Sequence, residues 1–220
     1  MDGDGDLTAY KFARKPWLAT SEEWPKCSHC KQPLEFFLQL NLNQLPEALK
    51  NEFGRGILQM FYCTYMNVYG EECCELDYEG WEAFSDIHFL VIIQPEAEAQ
   101  DVENPEIEYI SPPKLIVDWQ QSDNYPNYNE AANLDVKLDL DLDELFMDKF
   151  PVQGDKLAGW PLLEQEIEYP NCPICDERME LVFQLYSEDN SPFRLYKVGH
   201  AYITQCQNHK HQLAFSWSSC

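Results

Sequence analysis

Residues 24–40 read WPKCSHCKQPLEFFLQL, and residues 169–185 read YPNCPICDERMELVFQL. Aligned without gaps, Pro25, Cys27, Cys30, Glu35, Gln39 and Leu40 fall on Pro170, Cys172, Cys175, Glu180, Gln184 and Leu185. That is six identities in 17 positions, both cysteines among them. Trp24 meets Tyr169, and Phe36-Phe37-Leu38 meets Leu181-Val182-Phe183. The likeness resumes where Ile57 to Cys63 (ILQMFYC) resembles Ala201 to Cys206 (AYITQC). The third cysteine follows the pair by 33 residues in one stretch and by 31 in the other. Self-similarity of this kind marks a repeated unit.

Each stretch after CxxC is apolar, aromatic and branched, and is bounded by polar turns, which predicts a buried strand. The segment before each third cysteine predicts a second strand that returns a thiol to the same end. Gln39 and Gln184 are polar within these apolar runs, so each is expected to hydrogen-bond to neighbouring backbone. The resulting expectation is an α+β, mainly β fold, internally duplicated, with two pseudo-symmetric β-rich halves. Each half carries a zinc-ribbon-like CxxC module. Within one domain, 1–220, the first module covers 24–95, an acidic connecting segment 96–150, and the second module 151–220.

The connecting segment is less regular. Residues 96–108 hold six acidic groups and no basic one, with Pro105 inside, which reads as an exposed loop or edge. Residues 123–133 are rich in turn formers. Leu138 to Asp143 alternate apolar and acidic, as in a half-buried or charge-guarded edge strand. Helix signals are few: Leu45 to Lys50, with Pro46 near a first turn, and Leu142 to Phe150.

The cysteines point to metal. Zinc takes four ligands in a tetrahedron, usually thiolates and imidazoles, and a CxxC turn supplies two of them. In the second module Cys172, Cys175, Cys206 and His209 complete a C-x2-C…C-x2-H pattern, with His211 as an alternative to His209. In the first, Cys27, Cys30 and Cys63 supply three ligands, and Cys73 or Cys74 is the candidate fourth. His29, inside its CxxC, is expected to point outward, and Cys220 stands outside the pattern. One or two structural zinc ions are therefore expected. A closed site has no open position for water or substrate, so it argues for folding and not for catalysis. A thioredoxin-like pair would begin a helix after a strand, whereas here a strand follows.

Other chemistry is thin. Asp2-x-Asp4-x-Asp6 and Asp139-x-Asp141-x-Asp143 imitate the start of a calcium loop, but Leu7 and Glu144 stand where glycine is needed, and Ala13 and Phe150 where glutamate is needed. There is no nucleophile elbow, catalytic triad signature or phosphate-binding glycine loop. His88 and His200 have no spacing that selects a catalytic pair. No catalytic residue is nominated, and the chain is read as a binding protein before an enzyme.

Charge narrows the partner. Thirty-nine acidic residues against 15 basic ones give a formal net charge of −24. Such a chain repels phosphate backbones and anionic membrane surfaces and attracts basic proteins. Met1 to Asp6 is acidic and glycine-rich, unlike a signal peptide, and the longest apolar run, near Phe89 to Ile93, is far short of the ~20 residues of a membrane helix. The expectation is a cytoplasmic protein, where cysteines serve metal or burial more often than disulfides.

Further motifs carry a family resemblance. Gly154-Asp155-Lys156-Leu157-Ala158-Gly159-Trp160-Pro161 resembles the K-L-G-G-x-P signature of the YwqG family, a bacterial domain family of unknown function, with Ala158 in place of its first glycine. EYPNCPICDERMELVFQLYSEDNSPF and ITQCQNHKHQLAFSW resemble its zinc-ligand-bearing branch, and Asp118-Trp119 with Asp123 to Tyr128 its W-x-x-x-D-Y-P segment. That family looks related to the programmed cell death protein 2 group, some members of which are chaperones of a basic ribosomal protein. The resemblance implies a β-rich fold in two pseudo-symmetric halves and a protein-binding role, chaperone-like toward a basic protein. The alternative is a hydrolase or nucleic-acid-processing enzyme that uses an acidic cleft between the halves.

Overall fold

The computed structural model describes residues 6–13, 15–20, 22–65, 83–84, 88–94, 105, 112–126, 130–131, 134, 152–163, 169–190 and 199–219. Two compact units divide the chain, Met1–Trp119 and Gln120–Cys220. Each is built on an antiparallel sheet, and the described residues hold almost no helix.

In the first unit the strands are β1 (Lys11–Phe12), β2 (Glu35–Asn41), β3 (Ile57–Tyr62), β4 (His88–Ile93) and β5 (Lys114–Leu115), in the order β4-β3-β2-β1-β5. Every residue of β2 and β3 is buried. Apolar side chains on both faces explain this: alternation would leave one face wet, whereas a continuous apolar run suits a strand covered on both sides. Phe36 and Phe61 pack with ring centroids 5.2 Å apart, and Trp24 meets Phe61 edge-on at 5.8 Å. Phe36 and Phe61 are buried, and each such side chain contributes about 1.5–3 kcal/mol. The Pro46 signal yields a single 3₁₀ turn, Glu47–Leu49, not a longer helix.

The second unit has β6 (Lys156–Leu157), β7 (Glu180–Tyr186), β8 (Gly199–Gln205) and β9 (Leu213–Ser219), in the order β6-β7-β8-β9. All of β8 is buried, with His200 among its buried residues. Pairings recur between the units. Glu35 pairs with Tyr62 and Glu180 with Gln205; Gln39 pairs with Gln59 and Gln184 with Tyr202. The register slips between Phe36 and Leu38 in one ladder and between Leu181 and Phe183 in the other.

The short strands β1 and β6 end alike. Ala13 (φ +50°) donates its N–H to Phe37 O at 3.0 Å, and Ala158 (φ +61°) donates to Val182 O at 2.9 Å. Both acceptors lie at the slipped positions, so each bulge turns a carbonyl toward a left-handed alanine. Ala158, standing where the YwqG-type signature has glycine, thus keeps a left-handed backbone. That conformation costs an L residue about 1–2 kcal/mol, partly offset by the greater chain entropy of glycine when unfolded. Ala158→Gly is therefore expected to stabilise the second unit by up to about 1 kcal/mol, read as a higher urea midpoint; a lower midpoint would contradict it.

The glutamines inside β2 and β7 tie the loops down, as expected from their setting. Gln39 Oε1 accepts the Trp17 N–H at 2.9 Å, and its Nε2 donates to Leu7 O and Ala9 O at 2.8 and 2.9 Å. Gln184 Oε1 accepts the Leu162 N–H at 2.7 Å, and its Nε2 donates to Val152 O and Gly154 O at 3.3 and 2.8 Å. The strand expected at 138–143, the helix at 142–150 and nearly all of 96–108 lie outside the described residues. No helix among the described residues is long and apolar enough to cross a membrane.

Candidate metal centres

Each CxxC forms a knuckle held by its own backbone. Cys27 N–H donates to Gln32 O at 2.9 Å, Lys31 N–H to Cys27 O at 3.0 Å, and Leu34 N–H to Pro25 O at 2.9 Å. The second knuckle repeats this with Cys172 to Glu177 O, Asp176 to Cys172 O and Met179 to Pro170 O, at 2.9, 2.8 and 2.9 Å. The residue after the second cysteine is left-handed in both, Lys31 at φ +63° and Asp176 at +60°. That turn reverses the chain so that β2 and β7 begin directly after the knuckle. Because Glu35 pairs with Tyr62 and Glu180 with Gln205, the next residues along, Cys63 and Cys206, emerge beside the paired cysteines.

Cys172, Cys175, Cys206 and His209 gather with ligand atoms all within 4.8 Å of one another, and so do Cys27, Cys30 and Cys63. In the four-residue cluster Cys175 Sγ lies 3.6 Å from Cys206 Sγ, and His209 Nδ1 lies 3.7 Å from both Cys172 Sγ and Cys206 Sγ. In the other, Cys30 Sγ and Cys63 Sγ are 3.6 Å apart. Metal–sulfur bonds of about 2.3 Å and metal–nitrogen bonds of about 2.0–2.1 Å around a tetrahedral ion imply edges of roughly 3.5–3.8 Å. The observed separations match those edges and exceed the ~2.05 Å of a disulfide. None of the six described cysteines is in a disulfide.

His209 is placed by a hairpin between β8 and β9. Cys206 N–H donates to Gln212 O at 3.1 Å, Gln212 N–H returns to His209 O at 2.7 Å, and His209 N–H points at Cys206 Sγ at 3.3 Å. Of the two candidate imidazoles, His209 is the one inside the cluster; His211 is exposed, its ring 6.2 Å from that of His209. Burial raises the Cys172 thiol, but the N–H groups of Ile174 and Cys175 and the thiols of Cys206 and Cys175 outweigh it and bring the pKa down to about 6. Burial and the neighbouring Cys172 raise that of Cys206. The cluster thus favours one thiolate from the outset, and metal binding would release the remaining thiol protons.

The base of this knuckle is braced by Arg178, which pairs with the buried Glu130 at 3.0 Å. Its guanidinium lies 4.4 Å from the Tyr169 ring centroid and 5.7 Å from that of Trp160. In the first unit Trp24 Nε1 donates to Leu34 O at 2.7 Å across the knuckle. His29 is exposed at the knuckle tip and does not join the three thiols. Cys73 and Cys74 lie outside the described residues. No carboxylate joins a metal-sized cluster among the described residues.

Arg178 with Glu130, the left-handed Ala13 and Tyr202 as the partner of Gln184 are not apparent from sequence, whereas Ala158 stands out as the residue replacing a signature glycine. One signal was available. Lys11-Phe12-Ala13 and Lys156-Leu157-Ala158 stand at the same spacing from their CxxC pairs and extend the repeat upstream.

A family model described as a domain of unknown function, DUF1963, matches residues 11–217. The chain belongs to the DUF1963 family. Its match takes in strands of both sheets and both cysteine clusters, so the DUF1963 match spans both units of the chain, not either knuckle alone. No curated protein matches the chain.

Proposed function

We propose that this DUF1963 chain is a zinc-stabilised, acidic, cytoplasmic binding module of the YwqG-like kind, whose partner is a basic protein and whose action is chaperone-like. The observation that carries the partner's chemistry is the charge of −24, from 39 acidic and 15 basic residues. The metal reading is supported by the three-thiolate, one-imidazole cluster, a donor set zinc favours, and by separations that match a tetrahedron. Cys172, Cys175, Cys206 and His209 would hold one ion; Cys27, Cys30 and Cys63, with Cys73 or Cys74, would hold another. Bound zinc would cross-link knuckle to strand end, and such closed sites stabilise a fold without offering a reaction centre.

We also read the two units as copies of one module, each knuckle a zinc ribbon. Supporting this, Lys11, Ala13, Pro25, Cys27, Cys30, Glu35 and Gln39 and their counterparts Lys156, Ala158, Pro170, Cys172, Cys175, Glu180 and Gln184 keep one offset. The knuckle bonds, bulges and glutamine bonds recur at that offset.

The partner is tested by affinity capture with identification of the bound proteins, washed at low and high salt. The expected result is a basic protein, retained at about 0.05 M salt and released near 1 M, where the screening length falls to about 3 Å. An acidic or neutral partner, or retention insensitive to salt, would refute the electrostatic basis.

A further inference from the structure

Each cluster sets one half-exposed thiol against buried ones. In the first unit Cys30 is half-exposed, whereas Cys27 and Cys63 are buried; in the second Cys175 is half-exposed, whereas Cys172 and Cys206 are buried. In both, the half-exposed sulfur is the second of the CxxC pair. One neighbour, at 3.6 Å, is the cysteine delivered by the far strand, Cys63 or Cys206, and in the second unit Cys172 also contacts Cys175. The accessible sulfur is therefore the one an external oxidant meets first, and a second sulfur stands behind it. Formation of a disulfide requires the two to close by about 1.6 Å, from 3.6 Å to the ~2.05 Å bond.

We propose that Cys30 with Cys63, and Cys175 with Cys206, are sites of reversible oxidation by hydroperoxides, forming cross-strand disulfides that expel the metal. The metal-release half of this rests on the zinc reading above; the thiol pairing does not. The exposed thiolate attacks the O–O bond of the peroxide. An S–O bond forms, O–O breaks, and hydroxide (or alkoxide) leaves, giving a sulfenic acid. The buried cysteine, a thiolate where metal has displaced its proton and otherwise giving that proton to the leaving hydroxide, then attacks that sulfur. S–S forms, S–O breaks, and hydroxide leaves. Two thiolates lose two electrons, and the peroxide gains them. A zinc ion held by these residues would lose two of its thiolates and with them its tetrahedral donor set, which would release it. A thiol reductant reverses the bond by exchange and restores both ligands.

The test uses the full zinc-loaded chain and graded hydrogen peroxide, with two readouts. A chromogenic chelator follows released zinc, and mass spectrometry of non-reduced digests maps the disulfides. Near-complete zinc loss is expected in step with Cys30–Cys63 and Cys175–Cys206 linkages, both reversed by dithiothreitol. Linkages within CxxC (Cys27–Cys30 or Cys172–Cys175), linkage of these cysteines to Cys73 or Cys74, or sulfinic acid without disulfide would overturn the proposal. A chain that purifies without zinc but still forms the two cross-strand bonds would remove the zinc reading and leave the oxidation sites standing.

Discussion

Chelation of the proposed zinc, or the double substitution Cys172→Ser, Cys175→Ser, is expected to unfold the Gln120–Cys220 unit. Structural zinc contributes about 10–16 kcal/mol of apparent binding free energy in small peptides, against a net stability of about 5–15 kcal/mol for a whole domain. The four-stranded sheet here has a core of its own, including Met179, Val182, Phe183, Ile203 and Phe215. The loss is therefore smaller than in a peptide, yet it exceeds what so small a sheet holds in reserve. It also strikes at the junction of two elements: Cys175 belongs to the knuckle and Cys206 directly follows β8, and the ion would join them. The measurement is metal content together with thermal melting, for protein purified without added zinc. About two zinc per chain, falling to one in the double variant with loss of one melting transition, is the expected pattern. A variant that melts within a few degrees of the parent would show that the cysteines act only as small buried hydrophobes. Cys27→Ser, Cys30→Ser gives the corresponding reading for the first unit.

The repeat made much of this arrangement legible. FFLQL and LVFQL are buried strands, and the third cysteines return to the knuckles because the strands that carry them pair with those runs. The Phe89–Ile93 run, too short for a membrane span, lies in β4. What was less legible has a physical reason. Strands β1 and β6 have two residues each, too few to display a period, and their places are set by long-range bonds to Gln39 and Gln184. Residues Lys114–Leu115 sit beside an acidic stretch and join the first sheet through β1, a pairing no local pattern announces. The choice of His209 over His211 depends on the tight hairpin through Gln212, which sequence spacing alone leaves open.

Gln39→Leu is expected to cost about 2–6 kcal/mol, since two partners, the Trp17 N–H and Ala9 O, lose their hydrogen bond and each such loss costs about 1–3 kcal/mol. Gln39 is fully buried, and its amide joins four groups that are distant in sequence. Besides Trp17 N–H, Leu7 O and Ala9 O, Gln39 Oε1 accepts from Gln59 Nε2 at 2.9 Å, and Gln59 Nε2 also reaches Trp17 O at 2.7 Å. In the second unit Tyr202 takes the Gln59 role: it pairs with Gln184, and its hydroxyl donates to Leu162 O. Leucine preserves the volume and apolar contacts of Gln39 but takes the side-chain partner from the Trp17 N–H and from Ala9 O, while Leu7 O keeps the Lys11 Nζ donor at 2.9 Å. With a urea slope of about 2 kcal/mol/M, the midpoint should fall by roughly 2 M. Gln59→Leu alone should cost less, because Gln39 keeps its three backbone bonds. The double variant should cost less than the sum of the two, because the Gln39–Gln59 bond is lost in each single variant and can be lost only once. A Gln39→Leu cost under about 1 kcal/mol would mean that water replaces the amide and that the strand, not the side chain, holds β1 and the Trp17 segment in place.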